Sequence, residues 1–170
     1  MFVEFDQMPS HARVWIYISD RQITPGDALS IDGALRAFTA EWAAHGVPLK
    51  SSYCIMEDRF VLLAVDEEAH GASGCSIDTS VNALKRVGAE TGINFFDRSG
   101  VPFLIGGKVV VLRLGELKEK YNSGVWNGQT STFNIQAGTV GEIREQWTVP
   151  AEKSWLKRYM QPLPEDSQAG

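Results

Sequence analysis

An unbroken apolar run from Phe60 to Val65 constrains the fold of this chain more than any other feature of its sequence. A short run that is apolar at every position is typical of a strand buried on both faces, as in the centre of a covered sheet. A second run, Ser51 to Met56, precedes it, and Glu57-Asp58-Arg59 separates the two. We therefore expect a β-hairpin whose second strand is central in its sheet.

A strand and a long helix are predicted before this hairpin. Arg13 to Ser19 alternates around β-forming apolar residues, which is typical of a strand. Thr24 is suited to cap a helix that runs from Pro25 to Ala44, where apolar residues recur at helical spacing. His45 would lie in the last turn of this helix, and Gly46 would end it as the C-cap.

A second helix and a second hairpin are predicted after the central strand. The apolar stripe that follows Ser76 predicts an amphipathic helix ending at Gly92. Val101 to Ile105 and Lys108 to Leu114 are apolar runs joined by Gly106-Gly107, a hairpin turn signal. The resulting order is strand, helix, strand, strand, helix, strand. It predicts an α+β fold of the ferredoxin-like, split βαβ kind: an antiparallel sheet with two main helices on one face.

The predicted organisation is an α+β core at residues 1–114 and a C-terminal, mostly helical extension at 115–170 packed on the same domain. A chain of 170 residues has the usual length of a single domain. Short helices are expected around 140–147 and 152–160. The segment Asn122 to Thr132 is rich in small polar residues and is interpreted as an exposed loop.

Composition excludes several kinds of partner and location. A net charge of −5 argues against nucleic-acid binding, because phosphate contacts require a basic face. No apolar run approaches the roughly 20 residues of a membrane span, and no signal peptide is visible. Cys54 and Cys75 are the only cysteines, so reduced thiols and a cytoplasmic location are expected.

Familiar catalytic motifs are absent. Gly106-Gly107-Lys108 lacks the upstream glycine and the following Ser or Thr of a nucleotide-binding P-loop. No dinucleotide-binding glycine motif, Cys-x-x-Cys, His-x-x-x-His or Gly-x-Ser-x-Gly occurs. The three histidines, His11, His45 and His70, are far apart along the chain. We therefore predict no cofactor and no metal site, and the sequence leaves open whether the protein is an enzyme.

The segment from Gly71 to Asp78 links the buried strand to the second helix and contains the candidate ligand-binding residues Ser73, Gly74, Cys75 and Ser76. Small residues allow close approach of a ligand, and the free amides of a helix start attract anions. A helix start also favours a thiolate, which makes Cys75 the candidate catalytic residue. The alternative is structural: Ser76 caps the helix, the glycines form a tight turn, and Cys75 is an inert small side chain.

The split βαβ topology brings three more candidates to this turn. The end of the central strand shares an edge with the connection that carries His45 and Lys50, and Arg13 begins the first strand at the same edge. These side chains would assist an anion or activate a thiol, or they are ordinary surface charges. Asp66-Glu67-Glu68, at the same edge, would suit a metal, although such a run is more often a solvated loop.

Three stretches of the sequence carry a family resemblance: Arg13–Tyr17; Arg59–Phe60 with Ala64–Glu67 and Gly71–Val81; and Trp147–Pro150 with Ser154–Trp155 and Arg158. Together they span nearly the whole chain, and they resemble a family of short uncharacterised bacterial proteins, typical of the Bacteroidetes lineage and often labelled as ABC-transporter ATPases. The resemblance implies a bacterial cytoplasmic setting. It implies no established activity, and no catalytic residues are carried over from it.

Three hypotheses about function follow. The first is a small-ligand or anion-binding module that uses the Gly71–Ser76 turn, with an anionic small molecule as its partner. The second is a thiol-dependent enzyme or redox protein that uses Cys75. The third is an interaction or homodimerisation domain, in which the tryptophan-containing C-terminal segment or an exposed edge strand contacts a partner.

Overall fold

The computed structural model describes residues 1–68 and 70–161, and these ranges contain strands, α-helices and 3₁₀ turns. The strands are β1 (Arg13–Ile18), β2 (Ala43–Ala44), β3 (Val47–Pro48), β4 (Lys50–Met56), β5 (Phe60–Asp66), β6 (Gly100–Ile105), β7 (Lys108–Arg113), β8 (Ser131–Phe133) and β9 (Thr148–Pro150). The helices are α1 (Pro25–Glu41), α2 (Gly74–Thr91), α3 (Leu117–Asn122) and α4 (Val140–Glu145). The 3₁₀ turns span Phe5–Gln7, Leu114–Glu116, Ala151–Lys153 and Trp155–Met160.

The chain divides into two compact units. The first comprises residues 1–98 and 135–146, and the described part of the second comprises residues 99–134 and 147–161. The predicted boundary at residue 114 falls inside the second unit and stays a prediction about domain organisation. Residues 162–170 of the predicted extension lie outside the described residues.

A three-stranded antiparallel sheet in the order β1-β5-β4 forms the frame of the first unit. Every residue of β5 is buried, and β4 and β5 are paired from Lys50↔Asp66 to Met56↔Phe60. The hairpin turn places Glu57 and Asp58 at φ of 58° and 50°. The predicted hairpin and its central second strand are therefore confirmed.

Both long helices pack on one face of this sheet. Val61 and Leu63 of β5 contact a buried cluster that includes Leu35 of α1 and Leu84 and Val87 of α2. The start of α1 is as predicted, because Thr24 and Asp27 exchange hydrogen bonds in a capping box and Pro25 is the first helical residue.

The predicted end of α1 is wrong. The helix ends at Glu41, and the chain then forms a two-stranded hairpin in which β2 pairs with β3. His45 and Gly46 form its two-residue turn with φ of 51° and 78°, so His45 is not in a helical turn and Gly46 is not a helix C-cap. Two consecutive left-handed residues are what a tight β-hairpin requires, and glycine adopts this conformation without strain.

The second unit is built on a four-stranded antiparallel sheet in the order β7-β6-β8-β9. The hairpin of β6 and β7 is confirmed, but β7 does not join the sheet of β1, β4 and β5 as the ferredoxin-like prediction requires. The fold is α+β with three antiparallel sheets and several helices, and the ferredoxin-like arrangement is not confirmed.

Residues 115–161 supply strands as well as helices. β8 and β9 are short strands of the second sheet, and the other regular elements of these described residues are α-helices and 3₁₀ turns, so the extension is mostly helical as predicted but also supplies two strands. The expected exposed loop at 122–132 is partly buried: Trp126 is 1% exposed and its indole N–H donates to the Leu117 carbonyl over 2.9 Å. Within the described ranges, no helix has both the length and the apolar composition that crossing a bilayer requires.

Candidate metal centre at the end of the central strand

Charged side chains converge where β5 ends. The antiparallel register places Arg13 opposite Val65 and Lys50 opposite Asp66, at the edge to which the sequence analysis assigned both cations. Each cation contacts an acidic residue of the segment that leaves β5. Lys50 Nζ lies 3.6 Å from Asp66 Oδ2, and Arg13 Nη1 lies 3.6 Å from Glu67 Oε1.

Asp66 is the buried member of this group, with 8% of its surface exposed. Its Oδ1 accepts a 3.1 Å hydrogen bond from the Glu68 backbone amide and lies 3.1 Å from His11 Nε2. Burial raises the pKa of the Asp66 carboxyl, but the bonds from Glu68 and His11 and the charge of Lys50 outweigh burial, so its pKa lies below the ordinary value. Asp66 is therefore a carboxylate at neutral pH.

His11, Asp66 and Glu68 present three metal-ligating atoms to one point, all within 4.8 Å of one another. His11 Nε2 lies 3.1 Å from Asp66 Oδ1 and 3.6 Å from Glu68 Oε2. Two ligand atoms that each lie about 2.1 Å from one ion are separated by roughly 3.0 to 3.4 Å in octahedral and tetrahedral sites. The imidazole therefore already lies near chelating distance of both carboxylates.

Glu67 connects this cluster to the turn before α2. While one carboxylate oxygen faces Arg13, the other accepts a 3.2 Å hydrogen bond from the Ala72 amide. A Cβ at Gly71 would approach that oxygen to 2.8 Å, so the absence of a side chain at position 71 permits this contact. The protein's own carboxylate thus lies against part of the turn that was predicted to bind an external anion.

The first turn of α2 is capped by two serines rather than by Ser76 alone. Ser73 is the N-cap: its Oγ accepts from the Ser76 amide over 3.1 Å, and its own amide donates to Ser76 Oγ over 2.7 Å. The amides of Gly74 and Cys75 make no hydrogen bond to another described residue, and the Cys75 side chain is exposed. Of the predicted turn residues, Ser73 and Ser76 are thus mutually satisfied, and Gly74 and Cys75 remain available.

A buried tryptophan fixes the position of this turn against α1. Trp42 Nε1 donates a 2.9 Å hydrogen bond to the Ser76 carbonyl. Its ring lies 6.0 Å from that of Trp15, over which the Arg13 guanidinium lies at 4.6 Å from the centroid. His45 is exposed and makes no hydrogen bond to the described residues of the turn.

His11 is the residue of this site that the sequence analysis did not select. It precedes β1 in a segment without a clear periodic pattern, and it is 55 positions from Asp66. The available signal is the register: continuing the β1–β5 pairing two residues beyond Arg13↔Val65 brings His11 opposite Glu67. That inference needs the pairing of β1 with β5 to be known first.

Comparisons with known proteins add no relative. No family model matches the chain, and neither the curated proteins nor the solved structures contain a significant match. The resemblance to short uncharacterised bacterial proteins therefore remains an expectation.

Proposed function

We propose that the first unit is a small-ligand-binding module whose ligand is a divalent transition-metal ion coordinated by His11, Asp66 and Glu68. The observation that carries this proposal is the convergence of one imidazole and two carboxylates at 3.1 and 3.6 Å. A mixed nitrogen and oxygen ligand set suits Zn²⁺, Mn²⁺ or Fe²⁺ better than Ca²⁺ or Mg²⁺, which prefer oxygen alone.

Three protein ligands leave coordination positions open. The His11 and Glu68 side chains are 56% and 77% exposed, so water or a small anion can reach the ion. Arg13 lies at the same edge, where its guanidinium faces Glu67 over 3.6 Å. Metal ions bind neutral imidazoles and ionised carboxylates, so we expect affinity to fall on acidification.

The competing explanation is a network of ion pairs that needs no metal, because Lys50 already faces Asp66 and Arg13 faces Glu67. Calorimetric titration of the full chain with Zn²⁺, Mn²⁺ and Co²⁺ separates the two explanations. We expect saturable binding, and we expect His11→Ala and Glu68→Gln each to weaken it by more than about tenfold.

The matched controls are His45→Ala and Glu57→Gln, which remove the same side-chain types from exposed turns of the same unit. Both controls should bind like the wild type. Equal affinity of wild type and His11→Ala, or no saturable binding by the wild type, would overturn the proposal. Circular dichroism of each variant establishes that it is folded.

The predicted anionic partner becomes a second proposal, as a co-ligand of the metal. The amides of Gly74 and Cys75, which make no hydrogen bond to another described residue, and the cation of Arg13 support it. The Glu67 carboxylate at the Ala72 amide opposes it. Repeating the metal titration with inorganic phosphate present tests this. Tighter metal binding with phosphate supports a co-ligand, and unchanged affinity argues against it.

The exposure of Cys75 favours the thiol-dependent alternative over an inert thiol. However, among the described residues no base lies within hydrogen-bond reach of the Cys75 sulfur. Thiol chemistry is therefore the secondary function here. Labelling kinetics of the two cysteines test this alternative.

We further propose that the first unit follows the split βαβ plan as far as its third strand. The order β1-β5-β4 and the two helices on one face support this relation.

Two unpaired cysteines support a cytoplasmic location. Homodimerisation through an edge strand stays a proposal. Residues 1–3 already pair with part of the β4 edge of the sheet, and residues 138–139 already pair with part of the β1 edge.

A further inference from the structure

A cavity of about 610 Å³ opens beside β4, away from the cluster at the end of β5. Its walls come from the N-terminal segment (residues 2–6), from α1, and from β4 with its hairpin turn, all within the first unit. The N-terminal segment lies beside β4, where the Val3 amide donates to the Ser51 carbonyl and the Ser51 amide donates to the Met1 carbonyl, each over 2.9 Å. This volume is in the range of small-molecule sites.

Negative charge dominates the walls. The carboxylates of Glu4, Asp6, Asp32 and Asp58 line the cavity, and Arg36 is the single basic residue among its lining residues. A cavity lined by one sign of charge concentrates counter-ions of the opposite sign. The occupant that matches these walls is therefore a cation.

Aromatic faces make the cavity suitable for an organic cation rather than a bare metal ion. The rings of Phe2 and Tyr53 lie 5.7 Å apart, and Phe5 also lines the cavity. The chain's own guanidinium already makes contacts of this kind: the Arg36 Cζ lies 3.9 Å from the Phe2 centroid, and its Nη1 lies 3.8 Å from Glu4 Oε1. One ring and one carboxylate of the cavity are therefore engaged by Arg36. A positive group over an aromatic face and beside a carboxylate is the usual setting for ammonium and guanidinium recognition.

The remaining polar walls add no competing charge. The Tyr53 hydroxyl donates to the Asp32 carbonyl over 3.2 Å, and burial, with the nearby Asp32, raises the pKa of Tyr53 to about 12. Burial likewise raises the pKa of the Cys54 thiol to about 12. Both groups are neutral at physiological pH, so carboxylates supply the recognition.

We propose that this cavity binds a small linear polycation with several ammonium groups. Glu4 already faces Arg36, so the proposed contacts are the carboxylates of Asp6, Asp32 and Asp58, which match several separated positive charges better than a single one. The Tyr53 ring contacts the methylene groups between those charges. The inference is independent of the metal site, because none of its residues is a proposed metal ligand.

The test is calorimetric titration of the full chain with spermidine, which carries three ammonium groups. We expect one saturable site that Asp32→Asn/Asp58→Asn weakens by about tenfold. Both asparagines preserve the local hydrogen bonds. They keep the backbone carbonyls that accept from the Tyr53 hydroxyl and the Ile23 amide, and the side-chain oxygen at position 32 still accepts from the Tyr53 hydroxyl. Asparagine also tolerates the positive φ of position 58.

The control is Asp78→Asn/Glu145→Gln, which removes two exposed carboxylates of the same unit outside the cavity. Near wild-type binding by this variant supports the proposal. The proposal would be overturned if the control weakened binding equally or if the wild type showed no saturable binding. It would also be overturned if, at matched ionic strength, MgCl₂ displaced spermidine as effectively as excess putrescine does. In each of these cases the carboxylates act as a diffuse counter-ion surface.

Discussion

Cys54 and Cys75 are both unpaired, and their surroundings give the two thiols different chemistry. Cys54 lies within β4 and is partly buried, and burial raises its pKa to about 12. Cys75 is exposed in the first turn of α2. Since the thiolate is the reactive form, accessibility and environment separate the two residues.

We predict that Cys75 of the native protein reacts rapidly with a disulfide reagent at mildly alkaline pH and that the partly buried Cys54, whose pKa is raised, reacts much more slowly. The fast phase should disappear in Cys75→Ser and persist in Cys54→Ser. Stopped-flow labelling measures both phases. A fast phase that survives in Cys75→Ser would contradict the assignment, and a fast phase no quicker than a free model thiol would remove the thiol-enzyme alternative.

At the scale of elements, the start of α1 follows from four neighbouring residues and its end does not. Thr24 Oγ1 accepts from the Asp27 amide over 3.1 Å, and Asp27 Oδ2 accepts from the Thr24 amide over 2.9 Å. Arg21 donates to the same carboxylate and to the Thr91 carbonyl at the end of α2, which joins the two helices. The local part of this network is visible in sequence, and the contact with α2 is not.

This network predicts acid-sensitive stability. The hydrogen bond from Arg21, followed by those from Thr24, lowers the pKa of Asp27 well below its ordinary value, although burial opposes the shift. A carboxyl whose folded pKa is depressed stabilises the fold above its unfolded pKa of about 3.9, and that stability is lost as pH falls below this value. The difference in unfolding free energy between wild type and Asp27→Asn should therefore shrink from pH 5 towards pH 2.

Urea denaturation at several pH values measures this difference. Asp78→Asn, on α2, is the matched control because it removes the same charge outside this network. A wild type and an Asp27→Asn variant whose stabilities fall in parallel with acid would contradict the role assigned to the pair.

At the scale of the whole molecule, each unit has its own buried core. In the first, β5 contributes Leu63 to the cluster between the sheet and the two long helices. In the second, Phe103 of β6, Leu117 of α3 and Leu156 surround Trp126, whose ring lies 5.2 Å from that of Phe103. Each core joins residues from distant parts of the chain.

Truncation at the centre of the first core should be costly. Leu63 is fully buried, so Leu63→Ala removes its contacts and leaves a cavity, with an expected loss of about 2 to 5 kcal/mol in unfolding free energy. Leu29→Ala is the control, because Leu29 is 75% exposed on α1 and its truncation should change stability by less than about 0.5 kcal/mol. Chemical denaturation measures both; a similar loss in the two variants would contradict the assignment of the core.

The sequence by itself determined the elements whose signals are local: the apolar central strand, the two hairpins and the capped start of α1. These depend on residues a few positions apart, so period, turn chemistry and capping are sufficient. Tertiary structure decided what depends on distant partners. It turned His45 and Gly46 into a hairpin turn, directed Lys108–Arg113 into a second sheet, and brought His11 to Asp66 across 55 positions. Strand pairing depends on which distant segments bury the most apolar surface and form the most hydrogen bonds together, so it cannot be read from one segment alone.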